Sequence, residues 1–316
     1  MAAPEPGAPG VERAAGGVGL VARRSRRAGR RRRRGAVAVL AGAVIIAGAG
    51  VVVAWSAGTS SRPTHRVAPL VTTAPFTVPT TVAPPPPPVP PVYFNGPRDR
   101  PLVALTFDSN LTDAMIQELN SGKVASFANV SVIDELDQLQ VPATIFLAGK
   151  WMERYPDLTR RLAADPLFEL GSHSYAHEAF HQPCYGLGTL PAAGMAADVV
   201  RSEALLRQFT ARPTPYVRFP GGCFDDAALR AIAPTGVTVV QYDLPSGDAF
   251  GTSVPAIVRN VINNARPGSI IVMHITGGNT APLTAYALPQ VVAGLRQKGF
   301  VLARLSDLLA PLTPSN

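Results

Sequence analysis

From residue 98 onward the chain alternates short β-branched or apolar runs with amphipathic segments, and this alternation limits its fold more than any other feature. The runs are Leu102–Phe107 (LVALTF), Ala143–Leu147 (ATIFL), Phe168–Leu170, Tyr216–Phe219, Val237–Tyr242 (VTVVQY), Ser269–Met273 (SIIVM) and Phe300–Leu305 (FVLARL). Between them, Ser131–Leu139, Asp157–Ala164, Ala192–Phe209, Asp225–Ile232, Val254–Ala265 and Leu288–Gln297 space their apolar residues as helices do. Asp225 stands where it can cap its helix. Strand–helix alternation of this length predicts an α/β fold with a parallel sheet. Seven or eight such units close more naturally into a (β/α) barrel than spread into an open sheet.

The segment before this domain reads differently. Ten arginines and two glutamates in residues 1–35 account for the whole formal net charge of +8. The rest of the chain keeps nineteen of the 29 basic and nineteen of the 21 acidic residues, so it is neutral and lacks a nucleic-acid footprint. Residues 36–55, Ala36 to Trp55, are twenty uncharged residues, enough to span a ~30 Å hydrocarbon core at ~1.5 Å per residue. The arginines predict a cytoplasmic tail over 1–35, a transmembrane signal anchor over 36–55 and an outward-facing remainder. Ala54-Trp55-Ser56 is also a passable cleavage site, so a removed signal peptide stays open. Residues 56–97, ending in Pro84 to Pro88, Pro90 and Pro91, read as a Pro/Thr-rich disordered linker that holds residues 98–316 off the membrane.

Ionisable residues follow five of the strand-like runs: Asp108, His173, Arg218, Asp243 with Asp248 five residues on, and His274. In an α/β barrel the C-terminal rim of the strands is where active sites form. His173-Ser174-Tyr175-Ala176-His177 sets two imidazoles four residues apart. On a helical turn both would face one way, as two ligands of one metal must. His181 lies too far along such a helix to join them and is assigned a surface or structural role.

These residues resemble the five ordered motifs of the polysaccharide deacetylases, carbohydrate esterase family 4: Thr106-Phe107-Asp108, His173 to His177, Arg218-Phe219-Pro220-Gly221-Gly222, the Asp243 to Asp248 segment, and Ile271-Val272-Met273-His274. The resemblance implies a distorted (β/α) barrel and metal-assisted removal of acetyl groups from amino sugars. It implies that Asp108 is the general base, that Arg218 orients it, that His274 is the general acid and that Asp248 holds His274. It implies that His173 and His177 bind a divalent metal, in the family generally zinc, sometimes cobalt or nickel. Amide hydrolysis needs an activated water, a stabilised oxyanion and a protonated leaving amine, and this set of groups supplies all three.

The match departs from the family at two places. Where a second aspartate supplies a metal ligand, this chain has Ser109, a far weaker zinc ligand than a carboxylate. Three arrangements stay open: the metal binds through the two histidines and water, it takes another oxygen from Asn110, Asp113 or Asp108, or the site is metal-free. A tryptophan after the fourth-motif acid is replaced by Ala249, with Phe250 next to it. Cys184 and Cys223 both fall in rim loops of the expected barrel, and an extracytoplasmic site permits a disulfide between them. The function expected is N-deacetylation of cell-wall polysaccharide by a single-pass protein of the cell membrane. A catalytically silent glycan-binding protein and a metal-dependent O-acetyl esterase are the alternatives.

Overall fold

The computed structural model describes residues 87–311. The tail, the apolar segment 36–55 and nearly all of the stalk lie outside the described residues. Within them, no helix is long and apolar enough to cross a membrane. In chain order the elements are β1 (Val92–Tyr93), β2 (Leu102–Ser109), α1 (Asp113–Asn120), α2 (Val130–Gln138), β3 (Ala143–Leu147), α3 (Gly149–Arg154), α4 (Pro156–Ala164), β4 (Phe168–Ser172) and α5 (Ala192–Leu206). They continue with β5 (Tyr216–Val217), α6 (Asp226–Ile232), β6 (Thr238–Val240), β7 (Leu244–Pro245), α7 (Val254–Asn264), β8 (Ile270–His274), α8 (Thr284–Gln297), β9 (Val301–Leu302) and α9 (Leu305–Leu309).

All seven expected strands are present, together with two short ones, β1 and β7, that the sequence pattern does not announce. The strands pair in parallel in the order β1-β6-β5-β4-β3-β2-β8-β7, with β9 also pairing β2. The expected closed barrel of seven or eight strands is therefore corrected to an open half-barrel of nine, edged by β1 and β7. Both edges have a local cause. Pro245 cannot donate to a further ladder, and Pro90 and Pro91 immediately precede β1. Strand β1 also lies inside residues 56–97, so the packed part begins before residue 98.

β2 is buried on both faces, as the central strand of a covered parallel sheet must be. Its period-two alternation separates two environments. Val103, Leu105 and Phe107 join the large apolar cluster with Ile133 and Leu136 of α2 and Val291 and Leu295 of α8. Ala104 joins a smaller cluster with Phe146, Val240, Ile270, Leu305 and Leu308 on the other face. Thr106 and Asp108 share the parity of Ala104, and that register carries the Asp108 carboxylate to the concave side.

Candidate active site

The C-terminal ends of β2, β4, β5 and β8 surround a cleft of about 580 Å³ lined by Asp108, His173, His177, Asp248 and His274. Arg218 lies beneath it with no exposed surface. Its Nη1 donates to Asp108 Oδ1 and to Thr106 Oγ1, each at 2.8 Å. Its Nε and Nη2 donate to the carbonyls of Val240 and Gln241, both at 3.1 Å. The Phe146 ring faces the guanidinium at 4.1 Å. A buried guanidinium is tolerated only when its donors are met in this way, and the result fixes one Asp108 oxygen while leaving Oδ2 toward the cleft.

Opposite stands the His274–Asp248 pair. His274 Nδ1 is 2.9 Å from Asp248 Oδ1, and the His274 backbone N–H donates to Asp248 Oδ2 at 2.8 Å. Ser246 Oγ and Thr284 Oγ1 donate to the same carboxylate at 2.9 and 2.7 Å. Burial pushes the His274 pKa down, but the charge of Asp248 and its hydrogen bond outweigh burial, so the pKa is raised. Burial pushes Asp248 up, while the charge and hydrogen bond of His274 and the two hydroxyls hold its pKa below the usual carboxylate value.

The histidine pair is reached by another route than the sequence suggests. His173 to His177 do not form a helical turn: β4 runs to Ser172, and Ser174 and His177 adopt left-handed backbone, φ 64° and 53°. The backbone groups of the turn are used elsewhere. Asp198 of α5 accepts from the N–H of Tyr175 and Ala176 at 2.7 and 3.0 Å. The carbonyls of Ser174 and Tyr175 accept from Gly149 and Lys150 at 2.9 and 3.0 Å. The two rings nevertheless meet, with centroids 5.0 Å apart. Burial lowers the pKa of both, His177 far below its usual value, with the neighbouring His173 and His274 adding to the effect. Both are therefore neutral near pH 7. His173 Nδ1 lies 2.9 Å from the carbonyl of Arg218, so it is the donor and Nε2 keeps a lone pair, 3.6 Å from Asp108 Oδ2. His177 Nδ1 is buried with no partner.

Two neutral imidazoles with available lone pairs fit a divalent ion at two positions. Among the described residues no group of three or more His, Cys, Asp or Glu side chains is arranged to hold a metal. Ser109 does not line the cleft, and its buried hydroxyl accepts from Ala148 N–H at 3.1 Å. Asp113 pairs with Lys150 at 2.6 Å.

The other sequence candidates divide. Cys184 and Cys223 form a disulfide, with Cα atoms 5.9 Å apart. His181 stands outside the cleft, 3.1 Å from Asp225, which also caps α6 through Ala228 N–H. Asp243 leaves the site: it pairs with Arg98 at 2.8 Å and accepts from Ile270 N–H at 2.9 Å. Its strand position predicts a rim residue, but the chain turns back into β7, so Asp248 reaches the cleft instead. The segment Leu111 to Val130 contains α1, and its Thr112 and Met115 form part of the cleft wall.

The sequence profile of the polysaccharide deacetylases matches residues 95–240. Residues 95–240 are thus similar to a polysaccharide deacetylase domain. It is 27% identical over 206 residues to a peptidoglycan-N-acetylglucosamine deacetylase of Bacillus cereus, covering 65% of this chain and 67% of that one. It is 26% identical over 193 residues to a chitooligosaccharide deacetylase of a Bradyrhizobium species, covering 58% and 84%. A solved peptidoglycan N-acetylglucosamine deacetylase in complex with an N-hydroxybenzamide superposes with a TM-score of 0.58 at 25% identity, over 69% of this chain and 92% of that one. A family pseudoenzyme from Bacillus anthracis shares the fold, with a TM-score of 0.56 at 18% identity over 70% and 69%.

Two members of this site, Asp198 and Thr284, carry no sequence signal of their own. Asp198 shapes the histidine turn from a helix of ordinary pattern. Ser246 and Thr284 satisfy Asp248 from two separate segments. Thr106 and Ser246 sit inside recognisable motifs, two residues before Asp108 and Asp248 respectively.

Proposed function

We propose that this protein is a metal-dependent deacetylase that hydrolyses N-acetyl groups of cell-wall amino sugars in a peptidoglycan-type polymer. Residues 36–55 would anchor it in the cell membrane and hold the domain on the outer side. The observation that carries the activity is the pairing of two buried units across one cleft, Arg218 with Asp108 and Asp248 with His274. With Oδ1 held by Arg218, Asp108 keeps Oδ2 to take a proton from the water that attacks the acetyl carbon. With Nδ1 held by Asp248, protonated His274 delivers its Nε2 proton to the amide nitrogen as the C–N bond breaks. Acetate and a free amine leave. A zinc, cobalt or nickel ion held by His173 and His177 would polarise the acetyl carbonyl and acidify the water.

The test is acetate release by the full chain from N-acetylglucosamine oligomers and from peptidoglycan, with each of the three metals and with a chelator. Release that depends on metal and is lost in His274→Ala supports the reading. Release that is unaffected in His173→Ala would overturn the role of the metal. A second reading, a silent glycan binder, is favoured by one observation: the hydroxyl at position 109 is occupied by Ala148 N–H, and no third protein donor among the described residues joins the imidazoles. Oligomer binding without acetate release under all three metals would establish it.

A further inference from the structure

A second cavity, of about 440 Å³, lies beside the cleft at the edge of the sheet formed by β7. Arg98, Asp243, Asn264 and Arg266 supply its polar lining, and Pro245 and Asn260 form a wall that it shares with the cleft.

The charges in this cavity do not cancel. Asp243 is fully engaged: Oδ2 accepts from Arg98 Nη2 at 2.8 Å and from Ser269 Oγ at 3.1 Å, and Oδ1 accepts from Ile270 N–H at 2.9 Å. Arg98 also donates to the carbonyl of Pro267 at 2.7 Å. Arg266 uses its backbone N–H, which donates to Ser269 Oγ at 3.1 Å, but its guanidinium pairs with no acid among the described residues. One positive charge is left over. Neighbouring sequence offers no acid to take it. From Ala249 to Ser306 the chain holds no Asp or Glu and five basic residues, Arg259, Arg266, Arg296, Lys298 and Arg304. Arg304 pairs with Asp307, and Arg296 and Lys298 donate to the carbonyls of Leu139 and Ile262. Arg259 lines neither cavity, so Arg266 is the cation of this stretch that faces an open space.

The position of the cavity ties it to the reaction. Asn260 Nδ2 donates to the carbonyls of Pro245 and Ser246 at 2.8 and 3.0 Å, and Ser246 holds Asp248. A polymer whose acetyl group reaches His274 can cross Pro245 into the second cavity without leaving the surface. A neutral sugar gains little from an unpaired guanidinium there. A carboxylate meets a planar fork of donors that matches its two oxygens. The shared wall favours a carboxylate on the same glycan over a phosphate brought by a separate polymer.

We propose that Arg266, beside Arg98, binds a carboxylate carried by the glycan whose acetyl group occupies the cleft, so that an acidic polymer is bound in preference to a neutral one. The inference deepens the deacetylase reading and rests on it for the group in the cleft.

The experiment is calorimetric titration of the full chain with two tetrasaccharides, alongside acetate release from both. One is the neutral N-acetylglucosamine tetramer. The other alternates N-acetylglucosamine with its lactyl ether, which adds carboxylates to the same backbone. The parent is expected to bind the acidic tetramer about threefold or more tightly than the neutral one, with the difference shrinking as salt rises. Arg266→Ala removes that preference and leaves the neutral tetramer within about twofold, and Arg266→Glu reverses it. Arg259→Ala, exposed on α7 outside both cavities, changes neither ligand. Circular dichroism checks that each variant is folded. Equal affinity of the parent for the two tetramers, a preference that survives in Arg266→Ala, or equal weakening of both ligands each overturns the site. Affinity for poly(glycerol phosphate) that depends on Arg266, without any preference between the tetramers, also overturns it and assigns the cavity to a separate phosphate polymer. A preference that depends on Arg266, with no acetate released from either tetramer, leaves the site standing and defeats the hydrolytic reading instead. Acetate released equally from both tetramers by the parent and by Arg266→Ala, with equal binding, does the reverse.

Discussion

Asp248 is nearly inaccessible and accepts from four groups, so its charge is held by hydrogen bonds as well as by His274. The pH dependence of activity follows from this. His274 acts as an acid only while protonated, and its raised pKa keeps it so to higher pH than a free imidazole near 6.5. In Asp248→Asn the charge is gone and burial, which lowers the pKa, dominates. The basic limb of the pH–rate profile should therefore move to lower pH, with kcat down by about 10²–10⁴ at neutrality. Stability carries the same sign: a group whose folded pKa is raised stabilises fully below the unfolded value and loses that contribution as pH rises through the folded value. A limb unmoved in the variant would remove His274 from the role of acid. Ser109 makes the opposite kind of prediction. Ser109→Ala leaves the buried Ala148 N–H without its acceptor, which costs about 1–3 kcal/mol in urea unfolding. Zinc affinity, measured by competition with a chromophoric chelator, should be unchanged; a clear drop would make Ser109 a ligand after all.

At the level of elements, the turn between β4 and α5 performs what a helix was expected to do. Spacing of four residues implies a shared helical face, but spacing alone cannot register that the neighbouring backbone is already engaged. Here α3 takes the carbonyls of Ser174 and Tyr175, and Asp198 takes two N–H groups, so no helical ladder can form. The imidazoles converge because that turn is fixed from both sides. Asp198→Ala leaves the buried N–H of Tyr175 and the partly buried N–H of Ala176 without acceptors, at about 1–3 kcal/mol for the first and less for the second. Activity should fall further than the folded fraction does, because the loss acts on the position of His177. Urea titration and acetate release on the same samples separate the two. Equal losses would reduce Asp198 to a purely structural support.

Over the whole molecule, the long strands and the motifs at their ends were legible because burial on both faces writes continuous apolar runs, as in Ala143–Leu147, where expected and observed bounds agree. The short edges were not: Val92–Tyr93 and Leu244–Pro245 have too few residues for any period to show, and the closed barrel was inferred without them. α8 begins at Thr284, four residues before the expected Leu288, because its first hydroxyl is anchored on Asp248, a contact invisible in a linear pattern. Strands β4 and β5 are paired through only a short register, and the Cys184–Cys223 bond ties the loops that follow them together across 39 residues of chain. Closing a loop of that length restricts the unfolded chain by about 4 kcal/mol in the chain-entropy account. Reduction should therefore lower the urea midpoint of the domain by up to that equivalent, while the apolar core, which the disulfide does not enter, keeps the transition cooperative. Unfolding curves followed by fluorescence with and without reductant provide the measurement. Coincident curves, with thiol titration showing two free cysteines in the reduced sample, would mean that packing alone holds the rim.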